Sequence, residues 1–376
     1  MIRLIAVAIL LIPLAMRAQA TAPQKTVWVG DTPAVAPPLA IDLSPRLTRK
    51  NVVRAVDKVA NWELTEAKPH FNQNWTFAAL YVGFMAVPKA AHGKKYQEAM
   101  LQMGRKFQWQ PGPRVPNADD SAIGQTYLDL YFRYHDPPMM APIRERMDAV
   151  RALPDDPDKP LWWWCDALFM APPVLTRLYK ATGDRKYLDF MDHEWWITSG
   201  LLYSPSNHLY FRDQSYLDKH EANGSSVFWS RGNGWVFAAL ARVLTDMPGD
   251  YPSRPRYVAQ FEEMAQELAK LQGPDGLWRP GLLDAAAYPL PENSGSAFFT
   301  FGFAWGINQG ILDRAKYQPV VEKAWQGLLS HVYQDGRLGC IQPIGAAPGD
   351  YQAASSYVFG TGAFLLAGSE VYRLAH

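Results

Sequence analysis

A single carboxyl side chain lies inside a strongly apolar stretch of the sequence. Asp166 follows Trp162–Trp164 and precedes Leu168–Met170, with Cys165 and Ala167 as its direct neighbours. Apolar surroundings disfavour an ionised carboxylate, so this residue can hold a proton near neutral pH, as a general acid requires. Aspartate is also a favoured N-cap, here for a helix that begins at Ala167, and the two roles are compatible.

Two tryptophans flank an arginine and an asparagine between positions 229 and 235. The run Trp229-Ser230-Arg231-Gly232-Asn233-Gly234-Trp235 brackets Asn233 with glycines, which predicts a turn where the backbone approaches a ligand closely. Arg231 could grip a carboxylate through two parallel N–H bonds, while Trp229 or Trp235 covers a sugar face. The alternative is a structural loop whose arginine pairs with a buried acid.

Adjacent carboxylates precede an apolar helical pattern that starts near residue 125. On residue type alone, Asp119 and Asp120 are more typical of a helix N-terminus, where acidic side chains complement the helix dipole. Pairing one of them with Asp166 would instead supply the two carboxyls that glycoside chemistry often uses.

Smaller polar groups are further candidates for sugar contact. Trp75 opens a helical segment after Asn74, where a capping role and a sugar contact are both open. His208 and Arg212 lie in a mixed polar and aromatic loop, and His208 alone is more typical of a hydrogen-bonded loop residue than of a base. Glu292 begins a polar run that predicts a loop followed by a helix start.

Helical periodicity dominates the elements that must position these residues. Apolar residues recur on one face from Arg49 to Trp62, and comparable segments begin near residues 75, 123, 168, 187, 234, 257, 297, 317 and 362. Polar turns such as Lys180–Tyr187 recur at irregular spacing, which indicates about a dozen helices in hairpins. An open solenoid would keep a constant period. We therefore predict an all-α fold, a closed double ring of helical hairpins whose loops form a pocket at one end.

The chain divides into three parts. Residues 1–20 are typical of a secretory signal peptide, with Arg3, an apolar stretch and an Ala18-Gln19-Ala20 cleavage site, although an N-terminal anchor is the alternative. Residues 21–48 form a lead-in rich in Pro, Ala and Thr, and 49–376 read as one domain. We expect a secreted or periplasmic protein, because a signal peptide directs export. No later segment reaches the ~18 uninterrupted apolar residues that indicate a membrane span.

Composition narrows the classes of partner. The 376 residues include 37 Lys and Arg against 36 Asp and Glu, a net charge of +1, which argues against a nucleic-acid binder. Fourteen tryptophans indicate either packing or a sugar-binding cleft. Neither C-x-x-C nor H-E-x-x-H occurs, so these zinc signatures are absent. Cys165 and Cys340 read as buried thiols by default, with pairing left open.

Three segments together resemble glycoside hydrolase families 105 and 88, the unsaturated uronyl hydrolases. They are 164–171, reading WCDALFMA, the 229–235 run described above, and a C-terminal stretch from Tyr357 through 362–370. The similarity runs from about residue 50 to the C-terminus. It implies an (α/α)6 barrel without metal or organic cofactor, acting on oligosaccharides that lyases leave with a terminal Δ4,5-unsaturated uronic acid, of pectin or rhamnogalacturonan type.

The resemblance also implies roles for particular residues. Asp166 matches the acid that protonates C4 before water adds at C5, and the second carboxylate falls in the pair at 119–120, with a slight preference for Asp120. Arg231 and Trp235 match substrate-contacting positions, and Trp164 matches the aromatic two residues before the acid. The residue types add Trp229, Asn233, Trp75, His208 and Arg212 to the expected sugar contacts.

The chain departs from the family pattern at two places. Residues 152–161 contain no histidine, and the loop where a histidine is usual reads Leu209-Tyr210-Phe211-Arg212, so His208 or Arg212 would occupy that place. An arginine there suits a more anionic substrate, such as a sulfated uronide. A hydrolase of saturated glucuronides and a non-catalytic sugar-binding protein remain as alternatives, and the sequence leaves the parent polysaccharide and the oligomeric state open.

Overall fold

The computed structural model describes residues 27–376 except 155 and 157–159. The predicted signal peptide, residues 1–20, lies outside the described residues, as does the start of the lead-in. Within the described part, four two-residue strands form: β1 Gly30–Asp31, β2 Tyr203–Ser204, β3 Leu209–Tyr210 and β4 Ser356–Tyr357. The α-helices there are α1 Arg49–Ala67, α2 Trp75–Ala86, α3 Gly93–Lys106, α4 Ala118–Ser121, α5 Gly124–Tyr134, α6 Ala141–Arg151, α7 Ala167–Met170, α8 Pro172–Thr182, α9 Lys186–Leu202, α10 Ser230–Asp246, α11 Arg254–Lys270, α12 Asn293–Asn308, α13 Arg314–Leu329 and α14 Val358–Leu374.

Six helices form a closed inner ring. Going round the ring, α2 packs on α5, α5 on α8, α8 on α10, α10 on α12, α12 on α14, and α14 returns to α2. Outer helices cover them: α1 packs on α14, α3 on α2, α9 on α8, α11 on α10 and α13 on α12. Ile143 places α6 against Gly124 at the start of α5. The predicted closed double ring, an (α/α)6 barrel, is therefore confirmed.

The two rings differ in how much of each helix is buried. Every residue of α10 from Ser230 to Leu244, and of α12 from Asn293 to Ile307, is buried. The outer helix α3 buries only part of its length, including Tyr96 and Met100. An inner helix has neighbours on all sides, so it keeps no solvated polar face, whereas an outer helix needs only one apolar stripe.

Ring closure depends on a close approach of two glycines. A Cβ on Gly83 of α2 would lie 2.6 Å from the carbonyl oxygen of Gly362 of α14. In the reverse direction, a Cβ on Gly362 would lie 2.3 Å from the carbonyl oxygen of Ala79. Because real Cβ contacts are never this short, both positions need glycine for the last inner helix to meet the first.

The lead-in segment packs on the barrel. β1 pairs antiparallel with β4, and Leu39 bridges to Tyr333, so residues 27–48 tie the N-terminal side to the C-terminal loops. Asp31 also forms an ion pair with Arg337. Across the described parts of the chain, no helix is both long and apolar enough to cross a membrane.

The sequence located most helix starts within a few residues. α2, α5 and α9 begin at Trp75, Gly124 and Lys186, close to the expected positions 75, 123 and 187. The start expected at 234 lies inside α10, which begins at Ser230. Two outer helices, α3 and α6, were not among the segments predicted by periodicity, although the turn before α3 was recognised.

Candidate active site

A cavity opens at the end of the barrel where inner helices α2 and α10 begin. Its volume is about 150 Å³, below the ~300 Å³ or more of pockets that hold drug-sized ligands, which suits a single sugar ring. The N-termini of α2 and α10 bring positive partial charge to this end of the barrel, which favours an anionic ligand. The lining residues are Trp75, Asp119, Trp164, Asp166, Met170, Arg212, Trp229, Arg231, Trp235, Ile344 and Gly345.

Asp166 immediately precedes α7, as expected, but its side chain does not cap that helix. Its Oδ1 is buried without a hydrogen-bond partner, and its Oδ2 lies 3.4 Å from Nε of Arg212. Burial raises the pKa of Asp166, while the charges of Arg212 and Arg231 oppose that shift. The carboxyl is therefore placed to keep a proton that a solvated aspartate would lose, and capping does not account for it.

Asp119 is the second carboxyl in the cavity wall. The N-cap of α4 is Asn117, whose side chain accepts a hydrogen bond from the Asp119 backbone at 3.0 Å, so the Asp119 side chain is not used for capping. Burial, and then the negative charge of Asp166, raise the pKa of Asp119 to about 6. The negative charge of Asp166 therefore favours the protonated form of Asp119.

Asp120 is hydrogen-bonded to Arg114, which also lies 3.8 Å from Asp119, and is absent from the cavity wall. Its Oδ2 accepts from the backbone N–H of Arg114 at 2.6 Å and from the Nε of Arg114 at 3.0 Å, and its Oδ1 accepts from Nη2 at 2.9 Å. These bonds hold the loop before α4. The slight sequence preference was for Asp120 as the second carboxylate, but the structure places Asp119 and not Asp120 in the wall with Asp166, because adjacent residues at a helix start point in different directions.

Arg231 contributes to the cavity wall, but its guanidinium is already engaged. Nη1 and Nη2 each donate at 2.7 Å, to the carbonyl oxygens of Gln342 and Pro343. The buried carboxylate of Glu292 lies 3.8 Å away, and the Trp229 ring packs 4.3 Å from the guanidinium carbon. The alternative for this segment, an arginine paired with a buried acid, describes these contacts. Arg231 holds the loop of residues 342–345, here called the roof loop, which lines the cavity through Ile344 and Gly345.

Asn233 was expected to contact a sugar, and the structure places its side chain elsewhere. Residues 230–246 form a helix rather than a glycine-bracketed turn. The Asn233 side chain is fully buried, where Oδ1 accepts from the Tyr210 backbone at 2.7 Å and Nδ2 donates to the Tyr210 carbonyl at 3.0 Å. Gly234 lets α10 approach α12, since a Cβ there would lie 3.1 Å from the Cα of Gly295. Asn233 therefore joins β3 to α10 and does not line the cavity.

Tryptophans from separate elements form the aromatic wall. Trp75, the first residue of α2, packs edge to face on Trp235 at 6.0 Å between ring centroids. Trp235 also contacts Phe298 at 4.4 Å, while Trp229 donates from Nε1 to the Gln342 side chain at 3.0 Å. Trp164, two residues before Asp166, also lines the cavity. Other tryptophans serve packing, since Trp195 and Trp325 are fully buried and are not part of this wall.

The loop after β3 decides between His208 and Arg212. His208 lies in the β2–β3 turn, 3.1 Å from the Tyr203 hydroxyl, beside a separate surface cavity of about 310 Å³ between α9 and α11. Arg212 lies in the cavity wall next to Asp166. His208 is therefore not brought to the candidate active site, and Arg212 is.

Three further wall residues were not among the expected contacts. Met170 lies in the 164–171 motif but was not singled out, and nothing in the types of Ile344 and Gly345 distinguishes them from loop residues. Ile344 belongs to the loop that Arg231 holds, and Glu292 supports the same loop by accepting from the Gln342 backbone at 3.1 Å. As predicted, Glu292 also begins a helix, capping α12 through Ser294 and Gly295.

The two cysteines are both buried and unpaired. Burial raises the pKa of Cys165 well above its usual range, which makes its thiol unreactive. The described residues contain no group of three or more His, Cys, Asp or Glu side chains placed to hold a metal ion.

Comparisons with known proteins identify close relatives over the whole barrel. A family model described as Glycosyl Hydrolase Family 88 matches residues 48–375. An "Unsaturated 3S-rhamnoglycuronyl hydrolase" from Formosa agariphila is 40% identical over 349 residues, covering 87% of this chain and 92% of the relative. A protein of the same name from an Alteromonas species is 33% identical over 368 residues, covering 88% and 89%. A solved family 88 structure from Bacteroides vulgatus, 34% identical, superimposes with a TM-score of 0.82 over 87% of this chain and 99% of the other.

Proposed function

The chain belongs to Glycosyl Hydrolase Family 88, and we propose that it releases a terminal Δ4,5-unsaturated uronic acid from rhamnose-containing oligosaccharides. The sequence resemblance suggested substrates of pectin or rhamnogalacturonan type. The two relatives named as unsaturated 3S-rhamnoglycuronyl hydrolases favour a rhamnose-linked uronide. Both share the terminal unsaturated uronic acid on which the chemistry depends.

The observation that carries this proposal is the pair of carboxyls beside an arginine in a cavity of single-ring size. Asp166 and Asp119 line that cavity with Arg212, and burial raises the pKa values of both carboxyls. A protonated acid next to a cation suits a substrate that carries a carboxylate and needs a proton on carbon. The aromatic wall fits the faces of the sugar ring.

In the proposed reaction, Asp166 gives its proton to C4 of the C4=C5 enol ether, which leaves positive charge on C5 and the ring oxygen. Water then forms a bond to C5 and returns a proton to the carboxylate pair, which regenerates the acid and gives a hemiketal. The hemiketal opens as the bond from C5 to the ring oxygen breaks. The hemiacetal formed at C1 then expels the rest of the saccharide as an alcohol, and the uronate leaves as a keto sugar. One water is consumed, and no oxidant or reductant is needed.

Asp119 has a supporting role in this proposal. Its negative charge, when ionised, stabilises the positive charge that develops on the ring during protonation. It also raises the cost of ionising Asp166, so the pair retains one proton at the pH where the reaction starts. Arg231 and Glu292 hold the roof loop, which contributes Ile344 and Gly345 to the cavity wall.

The test is the ultraviolet absorbance of the C4=C5 bond in lyase-digested polysaccharides. We expect the wild-type protein to remove this absorbance from rhamnose-linked unsaturated uronides. The Asp166→Asn variant should lose at least ~100-fold in kcat, the scale of general acid catalysis. Asp250→Asn, a change at an exposed position remote from the cavity wall, is the matched control and should keep full activity. Activity confined to saturated glucuronides, or an unaffected Asp166→Asn variant, would contradict the proposal.

We also propose that the protein is exported, on the signal-like pattern of residues 1–20. N-terminal sequencing of the protein recovered from the periplasm or the medium should then begin near Thr21. A full-length N-terminus in a membrane fraction would favour an anchor instead.

A further inference from the structure

Arg212 is the least satisfied cation in the cavity wall. Its Nη1 donates to Asp213 at 2.6 Å, and its guanidinium packs 5.4 Å from the centre of the Trp163 ring. Its Nε is buried, has no hydrogen-bond partner, and lies 3.4 Å from Oδ2 of Asp166. This Nε therefore faces the Asp166 carboxyl, so an anion bound by the Arg212 guanidinium would lie beside that carboxyl.

We propose that Arg212 binds the carboxylate of the unsaturated uronate, and that this binding prepares Asp166 to transfer its proton to C4. The inference rests on the proposed function. In the substrate, the carboxylate carbon is bonded to C5, which is the direct neighbour of C4. A cation that holds this carboxylate must therefore lie beside the acid that protonates C4, and Arg212 does.

The other arginine of the wall is a poorer choice for this carboxylate. Both terminal nitrogens of Arg231 already donate to the carbonyls of Gln342 and Pro343 at 2.7 Å. Turning them toward a ligand would release the roof loop and leave the carbonyls without donors. Arg212 can accept a ligand with no such loss, since its Nη1 donates to a side chain, that of Asp213, and not to the carbonyls of a loop. Asp213 is itself anchored by the Ser215 backbone at 2.8 Å.

The charges around Asp166 explain how binding would prepare the acid. The groups that face it are Arg212 and Asp213 after β3, Arg231 from α10, Asp119 from α4 and the neighbouring thiol of Cys165. In the free protein, the positive charge of Arg212 lowers the pKa of Asp166 against the effect of burial. A bound uronate adds one negative charge next to Arg212, which offsets that effect. The carboxyl then holds its proton more firmly, and only the true substrate brings this about.

The experiment compares an unsaturated uronyl-rhamnose disaccharide with its uronate methyl ester, for wild type, Arg212→Gln and Arg212→Lys. Wild type should prefer the free acid by about 10- to 100-fold in kcat/KM, the range expected for one charge-assisted contact. Arg212→Gln should lose this preference, chiefly through KM. It should also move the alkaline limb of kcat/KM to higher pH, because a charge that lowers the pKa of Asp166 is gone. Arg212→Lys keeps the charge and should restore the wild-type limb and part of the preference.

Arg185→Gln serves as the charge-matched control, because Arg185 is an exposed arginine paired with Asp189 on α9. It should change neither the preference nor the pH profile. The inference is overturned if Arg212→Gln still prefers the acid, or if its alkaline limb stays in place or falls. If that variant does not fold, the wild-type comparison decides, since equal rates for acid and ester exclude the contact. Failure of the wild-type protein to consume either substrate would instead refute the proposed function.

Discussion

Replacing Asp119 and Asp120 one at a time by asparagine separates catalysis from stability at neighbouring positions. Asp119 lines the cavity and has a pKa of about 6, raised by burial and by Asp166, whereas Asp120 is bound to Arg114 and lies outside the wall. We expect Asp119→Asn to lose most of its turnover while folding normally. Asp120→Asn should keep its turnover per folded molecule and lose stability. The two substitutions are chemically identical, so each controls for the other.

The magnitudes follow from the same contacts. A carboxyl whose pKa is 3.8 when unfolded and about 6 when folded makes the protein less stable as pH rises from ~4 through 6. At ~1.4 kcal/mol per pKa unit, the ionised Asp119 costs about 3 kcal/mol at pH 8 as an upper bound. Asp119→Asn removes that cost, so its advantage over wild type should be present at pH 8 and vanish near pH 4. Asp120→Asn weakens bonds to a half-exposed arginine, for a loss of about 1–3 kcal/mol.

Urea unfolding at pH 4, 6 and 8 measures the stabilities, and loss of the substrate chromophore measures turnover per folded molecule. The reasoning fails if folded Asp120→Asn is inactive while Asp119→Asn is active. It also fails if Asp119→Asn is less stable than wild type at pH 8, because the ionised Asp119 carboxylate would then stabilise the folded protein.

Two further predictions concern stability away from the cavity. Glu63 is buried on α1 with Oε2 unpartnered and a pKa raised to about 7 by burial, so Glu63→Gln should gain about 2–3 kcal/mol at pH 8. That gain should shrink as pH falls toward 4.5, and a pH-independent difference in urea unfolding would refute it. Gly362→Ala should lose about 1–3 kcal/mol, because its Cβ meets the Ala79 carbonyl at 2.3 Å. Gly200→Ala, with no atom within 4 Å of the new Cβ, should instead gain about 0.5–1 kcal/mol, and equal effects of the two in thermal melts would contradict this account of ring closure.

The acid and the ring of helices could be predicted because both depend on local sequence. Asp166 is buried, and so are its sequence neighbours Trp164 and Leu168, so the apolar stretch indicated its environment. The helices follow from apolar periodicity. α6 was missed although it buries Ile143, Met147 and Val150, because an outer helix needs only a narrow apolar stripe.

The roles of the other polar residues could not be predicted, because their partners lie far away in the sequence. Arg231 bonds to carbonyls 111 and 112 positions away, and Asn233 is bound to Tyr210, 23 positions away. The residue types allowed a sugar contact for both. Only the packing of α10 against β3 and the roof loop shows that the side chains of Arg231 and Asn233 are hydrogen-bonded within the protein.

By itself, the sequence determined the class of fold and the family resemblance, and it singled out Asp166 as the candidate acid. The tertiary structure decided which aspartate faces that acid, that Arg212 rather than His208 lies beside it, and that Arg231 holds a loop. The physical reason is that propensity and desolvation act between neighbours along the chain, whereas hydrogen bonds and ion pairs depend on distances that exist only once the ring closes. Arg212 lies 46 positions after Asp166, and the closed barrel brings them to 3.4 Å.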